Sequence, residues 1–566
     1  MKRITAILTA CATAMTMTSI AGSTAKTFDG ADLKQLQRSL LTAGGAIDYD
    51  LDGSGEVDVF DLVRLRKELV SGSGELTELS VPATEDYVRF QSRTLQKDGT
   101  AWLIQSGSAA DFIVTAESAR ITLAGSSGIN NGDDYKPRYG VFVDGELIKD
   151  TLMTEREETV TLWEGVASRT AEVRVMLLSE AMYGGVGVKS IDVSSSSAIP
   201  VRPTAEKPLS IEFIGDSITC AYGVEGASQN EGFKTSTENF SKSYAYLTAK
   251  KLGADYSTCC YSGHGIVSGY TSDGSKNSAS LIPDCYEKSS KYSDYGTDWD
   301  FAGSRQHDAV VLNLGTNDIN YVAAEPESRG KEFIKEYKAF LVRVRELNPA
   351  AAIIGTVGTM GGDEIYELIA QAVEEYKAES GDERVSCYFS KTHSMTDGLG
   401  SDWHPNETTQ INSAYVLADK ICQALGIESD QIGLDMAAEA EYGIETPEGV
   451  YASHYYGYGS LYVNITAGGD KPSDVVAYAS GISLKKGGKY VLSFDYKADR
   501  AADVPFMLRG KDEYYSDAIS IASGDQHYEE ELTASADDTQ VRLEFLFGGN
   551  DSYNATISNV KLMKIG

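Results

Sequence analysis

The chain has 566 residues, which is too long for one hydrophobic core and predicts roughly three to five domains. Hydrophobic residues make up 42% and charged residues 23% of it, as in ordinary globular proteins. The formal net charge of −33 argues against a nucleic-acid partner, because phosphate would be repelled over most of the surface. It suits an extracellular protein that acts on neutral polymers.

The N-terminus has the pattern of a signal peptide. Lys2 and Arg3 precede a mildly apolar run, and Ser23 and Ala25 are small residues placed for cleavage after Ala25. The run is too short and too rich in threonine for a membrane anchor, and nothing like it follows downstream. We therefore predict a signal peptide over residues 1–25, secretion of the mature protein and no membrane span.

The number and spacing of the cysteines are consistent with a secreted protein. Cys11 follows Leu8-Thr9-Ala10, as in a lipoprotein acylation box, but the apolar run before it is very short, so secretion is preferred. The cysteines after the leader are too few for a disulfide scaffold, and none has zinc-site spacing. We expect buried small hydrophobes, with at most one bridge.

Residues 26–72 are predicted to form a short helical, EF-hand-like segment. The runs DLKQLQRSLL from Asp32 and DLVRLRKELV from Asp61 repeat with an offset of 29 residues, each with leucines at helical spacing. The stretch DYDLDGSGEVDVFD spaces oxygen ligands along a tight loop, as the hard Ca²⁺ ion requires. The expected ligands are Asp50, Asp52, Ser54, Glu56 through its carbonyl, Asp58 and Asp61. The alternative is an acidic surface turn.

This segment resembles a dockerin repeat, the module that plugs cellulosomal enzymes into cohesins. The resemblance rests on the calcium loop, with an aspartate at its last position and LVRLRKEL after it. The first helical run has no acidic loop before it, since that stretch falls in the leader. The resemblance therefore implies one structural calcium ion or a degraded dockerin, with a cohesin of a scaffoldin as the partner.

Two regions of alternating apolar and polar residues are predicted to be β-sandwiches. Residues 78–198 contain short runs such as DFIVTAESARITLAG between turn residues, and SSSSAIPVRPTAEKP after them is predicted to be a linker. Residues 431–566 return to short strands and resemble family-four-like carbohydrate-binding modules. Candidate sugar platforms there, equally consistent with sheet packing, are Tyr455, Tyr456, Tyr458 and Tyr462.

Residues 207–427 have the pattern of an α/β three-layer domain. LSIEFIGDS, DAVVLNLGTND and AAIIGTVGT are continuous apolar runs, as expected for parallel strands buried on both faces. Between them lie helices such as KEFIKEYKAFLVRVRELN. The apolar face predicted for that helix consists of Phe333, Tyr337, Phe340, Leu341 and Val344.

Four residues of this domain suggest an esterase site. Hydrolysis of an ester by serine needs an exposed hydroxyl, a base and donors aimed at the developing oxyanion. Ser217 directly follows a buried strand, at the end where open α/β sheets carry their sites. Gly263 and Asn317 follow two further strands and could donate to the same point as the Ser217 N–H. His404, near the end of the domain, is the candidate base.

These blocks resemble those of the GDSL/SGNH hydrolase superfamily, and within it carbohydrate esterase family two. FIGDSITCAYG, WDFAGSRQHDAVVLNLGTND and DGLGSDWHPN are similar to the hydrolase blocks. VRFQSRTLQKDGTAWLIQSGSAADFIV and YGVFVDGEL are similar to the jelly roll that precedes them. The resemblance covers residues 78–425 and implies a β jelly roll, then an SGNH hydrolase domain that deacetylates plant polysaccharides. It implies Ser217 as nucleophile, His404 as general base, and Ser217 N–H, Gly263 and Asn317 as the oxyanion hole.

The chain departs from the superfamily at the third catalytic residue. The superfamily usually has an aspartate three residues before the histidine, where this chain has Ser401. Asp402 lies only two residues before His404 and is the candidate third member of a triad. The alternative is a dyad, in which a backbone carbonyl orients the histidine.

Three further residues are candidates for substrate binding. Trp403 and Tyr270 are potential sugar platforms, although aromatic residues of this kind more often serve packing. His264 is next to Gly263 and is therefore expected to line the cleft.

As a whole, the sequence predicts a secreted carbohydrate esterase that removes O-acetyl groups from plant cell-wall polysaccharide, either xylan or glucomannan. Serine–histidine catalysis of this kind needs no cofactor. One alternative is a lipase or thioesterase on the same domain, which would require an apolar acyl pocket. The other is a non-catalytic, polysaccharide-binding component of a cellulosome.

Overall fold

The computed structural model describes residues 76–566, except positions 166, 293, 396, 438–439, 458 and 551. The predicted signal peptide (1–25), the dockerin-like segment (26–72) and Tyr458 lie outside the described residues. So do the predicted calcium ligands Asp50, Asp52, Ser54, Glu56, Asp58 and Asp61. Residues 77–194 and 200–566 form one compact unit. In the described part of the chain, no helix is long and apolar enough to cross a membrane.

The N-terminal region is a sandwich of two mainly antiparallel sheets. Its strands are β1 (Thr77–Pro82), β2 (Arg89–Gln91), β3 (Thr94–Lys97), β4 (Thr100–Leu103), β5 (Ala109–Ala116), β6 (Ser118–Gly125), β7 (Arg138–Val143), β8 (Glu146–Leu152), β9 (Glu157–Trp163), β10 (Arg169–Leu177), β11 (Val186–Ser195) and β12 (Val201–Pro203). One sheet has the order β3-β4-β11-β6-β9, with β1 on β11, and the other β12-β5-β10-β7-β8, with β2 on β5. Alternation along the strands buries one face of each sheet in a shared core, which includes Phe112 and Ile121. The predicted β-rich architecture is confirmed; its finer description as a jelly roll stays a prediction.

The stretch predicted as a linker after this sandwich contains a strand. β11 runs to Ser195, and β12 pairs antiparallel with β5, with Val201 opposite Val114. Pro203 lies at the end of β12, which is an edge strand, and proline is tolerated there because that position needs no ladder donor. The prolines led us to predict a linker, and that prediction is wrong for Val201–Pro203. A proline fits in this strand because the strand lies at the edge of the sheet.

The hydrolase domain contains a five-stranded parallel sheet in the order β14-β13-β15-β16-β17, with β13 (Leu209–Gly215), β14 (Ala254–Cys260), β15 (Ala309–Asn313), β16 (Ala352–Val357) and β17 (Val385–Phe389). Its helices are α1 (Ser217–Cys220), α2 (Tyr244–Lys251), α3 (Ile319–Ala324), α4 (Pro326–Leu347), α5 (Asp363–Ser380) and α6 (Glu407–Leu425). The central strands are buried along almost their whole length, as their continuous apolar runs predict. Two apolar clusters form the core of this domain, and both draw on the sheet and the helices.

Helix α4 illustrates how local sequence builds this layer. Pro326 occupies its first turn, where the missing N–H leaves no hydrogen bond unmade. The predicted apolar face is confirmed, since the structure buries Phe333, Tyr337, Phe340, Leu341 and Val344.

The C-terminal region is a second sandwich, as predicted. Its strands are β18 (Glu441–Glu445), β19 (Tyr451–Gly457), β20 (Ser460–Ala467), β21 (Val476–Leu484), β22 (Lys489–Ala498), β23 (Ala502–Arg509), β24 (Glu513–Ile521), β25 (Gln526–Thr533), β26 (Asp538–Leu546) and β27 (Tyr553–Lys564). The two sheets have the orders β18-β21-β26-β23-β24 and β19-β20-β27-β22-β25. Aromatic residues such as Phe494, Phe506 and Phe545 fill the core between them.

Short 3₁₀ helices occur in all three regions of the described chain. They are Ser127–Asn130, Asp133–Tyr135, Ala181–Tyr183, Thr235–Thr237, Phe240–Lys242, Thr316–Asp318, Ser401–Trp403 and Pro472–Asp474.

Candidate active site

Ser217 lies directly after β13, the strand between β14 and β15 in the parallel sheet. It begins the one-turn helix α1, whose N-cap Asp216 accepts a hydrogen bond from the Ile218 N–H at 3.0 Å. Only glycine fits at position 215, because a Cβ there would lie 2.0 Å from Thr219 Oγ1. This tight strand-to-helix turn sets the serine hydroxyl at the sheet edge where ligands bind in open α/β folds.

His404 reaches this hydroxyl from the segment before α6. Its Nε2 lies 2.9 Å from Ser217 Oγ. Its Nδ1 faces two backbone carbonyl oxygens, that of Asp402 at 3.0 Å and that of Ser401 at 3.2 Å. A protonated Nδ1 donates to these oxygens, which leaves the lone pair of Nε2 free to accept the serine proton. The arrangement is a Ser–His pair oriented by the backbone.

The backbone that supplies these carbonyls is strained. Asp402 has φ 49° and Trp403 has φ 66°, both in the left-handed region that non-glycine residues rarely adopt. Each such residue costs roughly 1–2 kcal/mol. Hydrogen bonds to neighbouring loops hold the segment, including one from the Asp402 N–H to Glu231 O at 3.1 Å. Strain held by surrounding structure is typical of functional sites.

The Asp402 carboxylate points away from the histidine. Its Oδ2 accepts hydrogen bonds from the Tyr222 hydroxyl at 2.9 Å and from the Phe233 N–H at 3.1 Å. The side chain predicted as a triad member is therefore committed elsewhere, and the main-chain carbonyl of Asp402 takes its position beside Nδ1. The left-handed conformation separates the two: it turns the carbonyl inward and the side chain outward. The Tyr222 ring in turn packs against His404 at a tilt of 34°, with ring centres 4.2 Å apart.

The environment of His404 keeps its imidazole neutral. Burial lowers the pKa of His404 to about 4, and the hydrogen bonds to the Asp402 and Ser401 carbonyls oppose that shift only in part. At neutral and mildly acidic pH the ring is thus unprotonated at Nε2. It can act as a base there without first losing a proton.

The predicted oxyanion donors lie in the segments that follow three adjacent strands, β13, β14 and β15. Gly263, in the loop after β14, has φ 75°, and a Cβ at that position would meet no atom within 4 Å, so it borders open space. In the described part of the chain, the N–H groups of Ser217 and Gly263 have no hydrogen-bond acceptor. Asn317 Nδ2 donates to the His264 carbonyl at 2.9 Å and to Asp216 Oδ2 at 3.1 Å. Two of the three donors are therefore free, and the third has acceptors within the protein.

Asp318 fixes the loop that carries Gly263. Its carboxylate accepts hydrogen bonds from the N–H groups of Ile266, Val267 and Ser268 at 2.8–3.0 Å. Burial raises the pKa of Asp318 to about 6, although the three N–H donors pull it down. Asp216 is similar, since burial raises its pKa to about 7. Asp318 was not identified from the sequence, although it directly follows Asn317.

Glu180 connects the N-terminal sandwich to the same loop. It follows β10, and its carboxylate accepts hydrogen bonds from the Ser262 N–H at 2.9 Å and from the Ser262 hydroxyl. Its own N–H donates to Glu238 Oε2 at 2.9 Å. Burial, together with repulsion from Glu180, raises the pKa of Glu238 well above its ordinary value. Since Ser262 directly precedes Gly263, Glu180 positions the loop that carries the predicted oxyanion donor Gly263.

The three residues predicted to bind substrate differ in exposure. Trp403 is 54% and Tyr270 58% exposed, and the Tyr270 N–H donates to Gly263 O at 2.9 Å, so both lie at the surface beside the catalytic loops. His264 is only 4% exposed, and its ring contacts the Ser262 carbonyl and Lys291 Nζ. The expectation that His264 lines the cleft is thus wrong, because its ring is buried under the loop.

One group of potential metal ligands comes together in the described part of the chain. It consists of Glu180, Cys220 and Glu238, whose ligand atoms lie within 4.8 Å of one another. Burial raises the pKa of all three groups. Glu180 already accepts two hydrogen bonds from Ser262. All the cysteines in the described residues are free thiols.

The chain is similar to known ester hydrolases. The family model described as GDSL-like lipase/acylhydrolase matches residues 211–504. The cellulase/esterase CelE of Acetivibrio thermocellus is 33% identical over 294 residues, which are 51% of this chain and 34% of that protein. This chain thus spans about a third of the length of that relative.

Two further relatives extend the match. An acetylxylan esterase/glucomannan deacetylase of Cellvibrio japonicus is 24% identical over 348 residues, which are 61% of this chain and 91% of that protein. The solved structure of a family two carbohydrate esterase from Clostridium thermocellum, in complex with cellohexaose, has a TM-score of 0.52 and 27% identity, and covers 60% of this chain and 99% of that one. Because the family model matches more than half of its length, this chain belongs to the GDSL-like lipase/acylhydrolase family and is a carboxylic ester hydrolase.

Proposed function

We propose that this protein is a family two carbohydrate esterase that removes O-acetyl groups from plant cell-wall polysaccharide, xylan or glucomannan. The observation that carries the proposal is the 2.9 Å contact between His404 Nε2 and Ser217 Oγ, with the unpaired Ser217 and Gly263 N–H groups beside it. The substrate class is taken from relatives named as acetylxylan esterases or glucomannan deacetylases, or solved with cellohexaose.

In the first half of the reaction, His404 Nε2 accepts the hydroxyl proton of Ser217 while Oγ attacks the acetyl carbonyl carbon. The carbonyl π electrons move to oxygen, and this oxyanion accepts hydrogen bonds from the Ser217 and Gly263 N–H groups. Asn317 adds a third donor once its amide releases one of its two acceptors. The intermediate collapses, the bond to the sugar oxygen breaks, and His404 returns its proton to that oxygen.

In the second half, water hydrolyses the acetyl-enzyme. His404 Nε2 takes a proton from the water as its oxygen attacks the acetyl carbon, and the same N–H groups stabilise the second oxyanion. Cleavage of the bond to Ser217 Oγ releases acetic acid, which ionises to acetate in water, and the imidazolium returns its proton to Oγ. The carbonyls of Ser401 and Asp402 accept the hydrogen bond from Nδ1–H throughout, and the negative charge of the Asp402 carboxylate also favours the imidazolium.

The flanking segments extend the proposal. We assign the N-terminal sandwich to the jelly roll of family two esterases and the C-terminal sandwich to carbohydrate binding. The leader over residues 1–25 would direct secretion. The segment 26–72 would bind one structural Ca²⁺ through the Asp50–Asp61 loop and offer a surface to a cohesin. These assignments rest on the sequence patterns given above.

Acetate release from acetylated xylan and acetylated glucomannan tests the function. Ser217→Ala should abolish release from both polymers and hydrolysis of 4-nitrophenyl acetate, with the circular dichroism spectrum unchanged. Activity near that of the wild type in the folded variant would overturn the role of Ser217. Faster hydrolysis of long-chain esters than of acetyl groups would favour a lipase, and no hydrolysis by the wild type would favour a binding protein.

The same assay separates dyad from triad. Asp402→Asn keeps an acceptor for the Phe233 N–H and should lower kcat by about tenfold at most, against the ~10⁴ that follows neutralisation of a triad acid. His404→Ala should cost as much as Ser217→Ala. A loss in Asp402→Asn as deep as that in His404→Ala would contradict the dyad.

The pH dependence of the reaction should report on His404. Because burial lowers the pKa of His404 to about 4, kcat/KM should stay constant from neutral pH down to about pH 5 and fall below pH 4, as Nε2 becomes protonated.

A further inference from the structure

A cleft of about 1000 Å³ opens between the hydrolase domain and the C-terminal sandwich. One wall is formed by the end of β17, the segment after it and Trp403. The other wall is formed by Glu441 and the end of β19, with Tyr455 and Tyr456. Trp403 directly precedes His404 in the sequence, so one wall of the cleft includes the residue next to the candidate catalytic base.

The lining of this cleft has the chemistry of a sugar site. Trp403 is 54% and Tyr455 60% exposed, so both rings are available to stack. Lys391, Thr392 and Glu441 supply polar groups to the same walls. A cavity near the upper end of the usual size for ligand sites, with aromatic walls and a few polar groups, fits an extended polar ligand.

Tyr455 and Tyr456 of β19 both line the cleft but pack differently. Tyr456 packs against the sandwich core and stacks on Tyr442, with ring centres 3.9 Å apart. Tyr455, on the opposite side of the strand, lies over Gly457, where an added Cβ would come within 2.4 Å of its hydroxyl oxygen. Its ring also stacks on Tyr462, with centres 6.1 Å apart. The ring of Tyr455 thus packs against Tyr462 and lies over Gly457, and it remains 60% exposed.

We infer that the C-terminal sandwich forms part of the esterase's own substrate cleft, in which Tyr455 binds sugar units of the polysaccharide next to the acetylated one. The inference rests on the proposed function. The net charge of −33 favours a neutral polysaccharide over an anionic polymer as the occupant. In this arrangement the sandwich acts within a single enzyme–substrate complex, and it is more than a separate module that tethers the enzyme.

Tyr455→Ala, in the full chain, tests this inference on two substrates. 4-Nitrophenyl acetate reports the catalytic pair alone, whereas acetylated glucomannan also fills the neighbouring cleft. We expect Tyr455→Ala to lower kcat/KM for the polymer by about threefold to tenfold more than for the small ester, mainly through KM, because one stacking ring is lost. Tyr451→Ala is the matched control, since Tyr451 lies on the same strand, is 66% exposed and does not line the cleft.

Binding separates the inference from the proposed function. Calorimetry of the Ser217→Ala protein with deacetylated glucomannan should show binding that Tyr455→Ala weakens by about threefold to tenfold and Tyr451→Ala does not. Equal effects of the two tyrosine variants, or no effect of Tyr455→Ala on either measurement, would overturn the inference. If the wild type hydrolyses 4-nitrophenyl acetate but releases no acetate from any polymer, the proposed substrate is wrong, and weakened glucomannan binding in Tyr455→Ala would still support the cleft.

Discussion

The N-terminal and C-terminal sandwiches flank the same hydrolase domain, and one ion pair on each side shows a contrast in burial. Arg93 of the N-terminal sandwich is fully buried and pairs at 2.9 Å with Glu212 of β13, which is also buried. On the other side, Lys251 of α2 lies 3.0 Å from Asp430, which leads into the C-terminal sandwich and is 64% exposed. The first pair is in the interior and the second is at the surface.

This difference indicates what each sandwich does. A buried ion pair contributes through the penalty of leaving one charge alone, so loss of Arg93 alone should destabilise the junction between the N-terminal sandwich and the hydrolase sheet. The N-terminal sandwich also supplies Glu180 to the loop that carries Gly263. An exposed pair contributes little, so the C-terminal sandwich is less tightly coupled to folding and acts on substrate through the cleft. Substitutions at the N-terminal junction should therefore lower stability, whereas substitutions in the C-terminal sandwich should change the use of substrate.

The largest effect is expected for Arg93→Met. The substitution leaves Glu212 buried without its cation and removes the hydrogen bonds from Arg93 to the carbonyls of Tyr286 and Lys288. We expect a loss of about 3–5 kcal/mol in the free energy of unfolding, measured by urea denaturation. The double variant Arg93→Met/Glu212→Gln should recover part of that loss, because no buried charge remains unpaired. A loss below about 1 kcal/mol in the single variant would contradict the expected destabilisation of this junction.

Glu180→Ala should have an intermediate effect, on catalysis more than on stability. Without this carboxylate, Ser262 loses its acceptor and the neighbouring Gly263 N–H is free to shift. A shift of about 1 Å costs up to ~10²-fold, so we expect kcat on 4-nitrophenyl acetate to fall by about tenfold to a hundredfold, with KM little changed. Glu180→Gln, which keeps an acceptor oxygen, should restore most of the rate. Equal losses in both variants, or a rise in KM alone, would argue against positioning.

Local patterns in the sequence were enough for the sheet and for most of the site. The apolar runs that became β13, β15 and β16 are continuous because parallel strands are buried on both faces. Residues directly after such strands meet at one edge, which is why Ser217, Gly263 and Asn317 could be grouped without coordinates. The predicted face of α4 followed from its helical period.

Local sequence patterns could not predict contacts between residues that are distant in the chain. The orientation of the Asp402 carboxylate depends on positive φ angles at two non-glycine residues, and side-chain preferences argue against such angles. Glu180 is 82 positions from Ser262, and its only local signal was a carboxylate inside the apolar stretch VRVMLLSEAMY. β12 was missed because prolines in and before it, Pro203 and Pro200, are typical of a linker. They are compatible with a strand only at the edge of a sheet, and the sequence does not show that position.

The smallest effect is expected for Lys251→Ala, on the C-terminal side. Lys251 Nζ contacts Asp430 Oδ1 at 3.0 Å and donates to the Ile432 carbonyl at 2.8 Å, and its charge lies 5.0 Å from the centre of the Tyr415 ring. Salt and water compete for the exposed Asp430, so the pair should contribute no more than about 1 kcal/mol. Activity on 4-nitrophenyl acetate should stay the same, since Lys251 lies outside the catalytic groups.

Salt sharpens this last comparison. Raising the ionic strength to 1 M should remove most of the small stability difference between Lys251→Ala and the wild type, because the Debye length falls to about 3 Å. The same salt should leave the much larger loss in Arg93→Met almost unchanged, because solvent ions do not reach a buried pair. A salt-insensitive loss of several kcal/mol in Lys251→Ala would mean that both sandwiches are joined to the hydrolase domain by interior contacts, and the distinction between them would not hold.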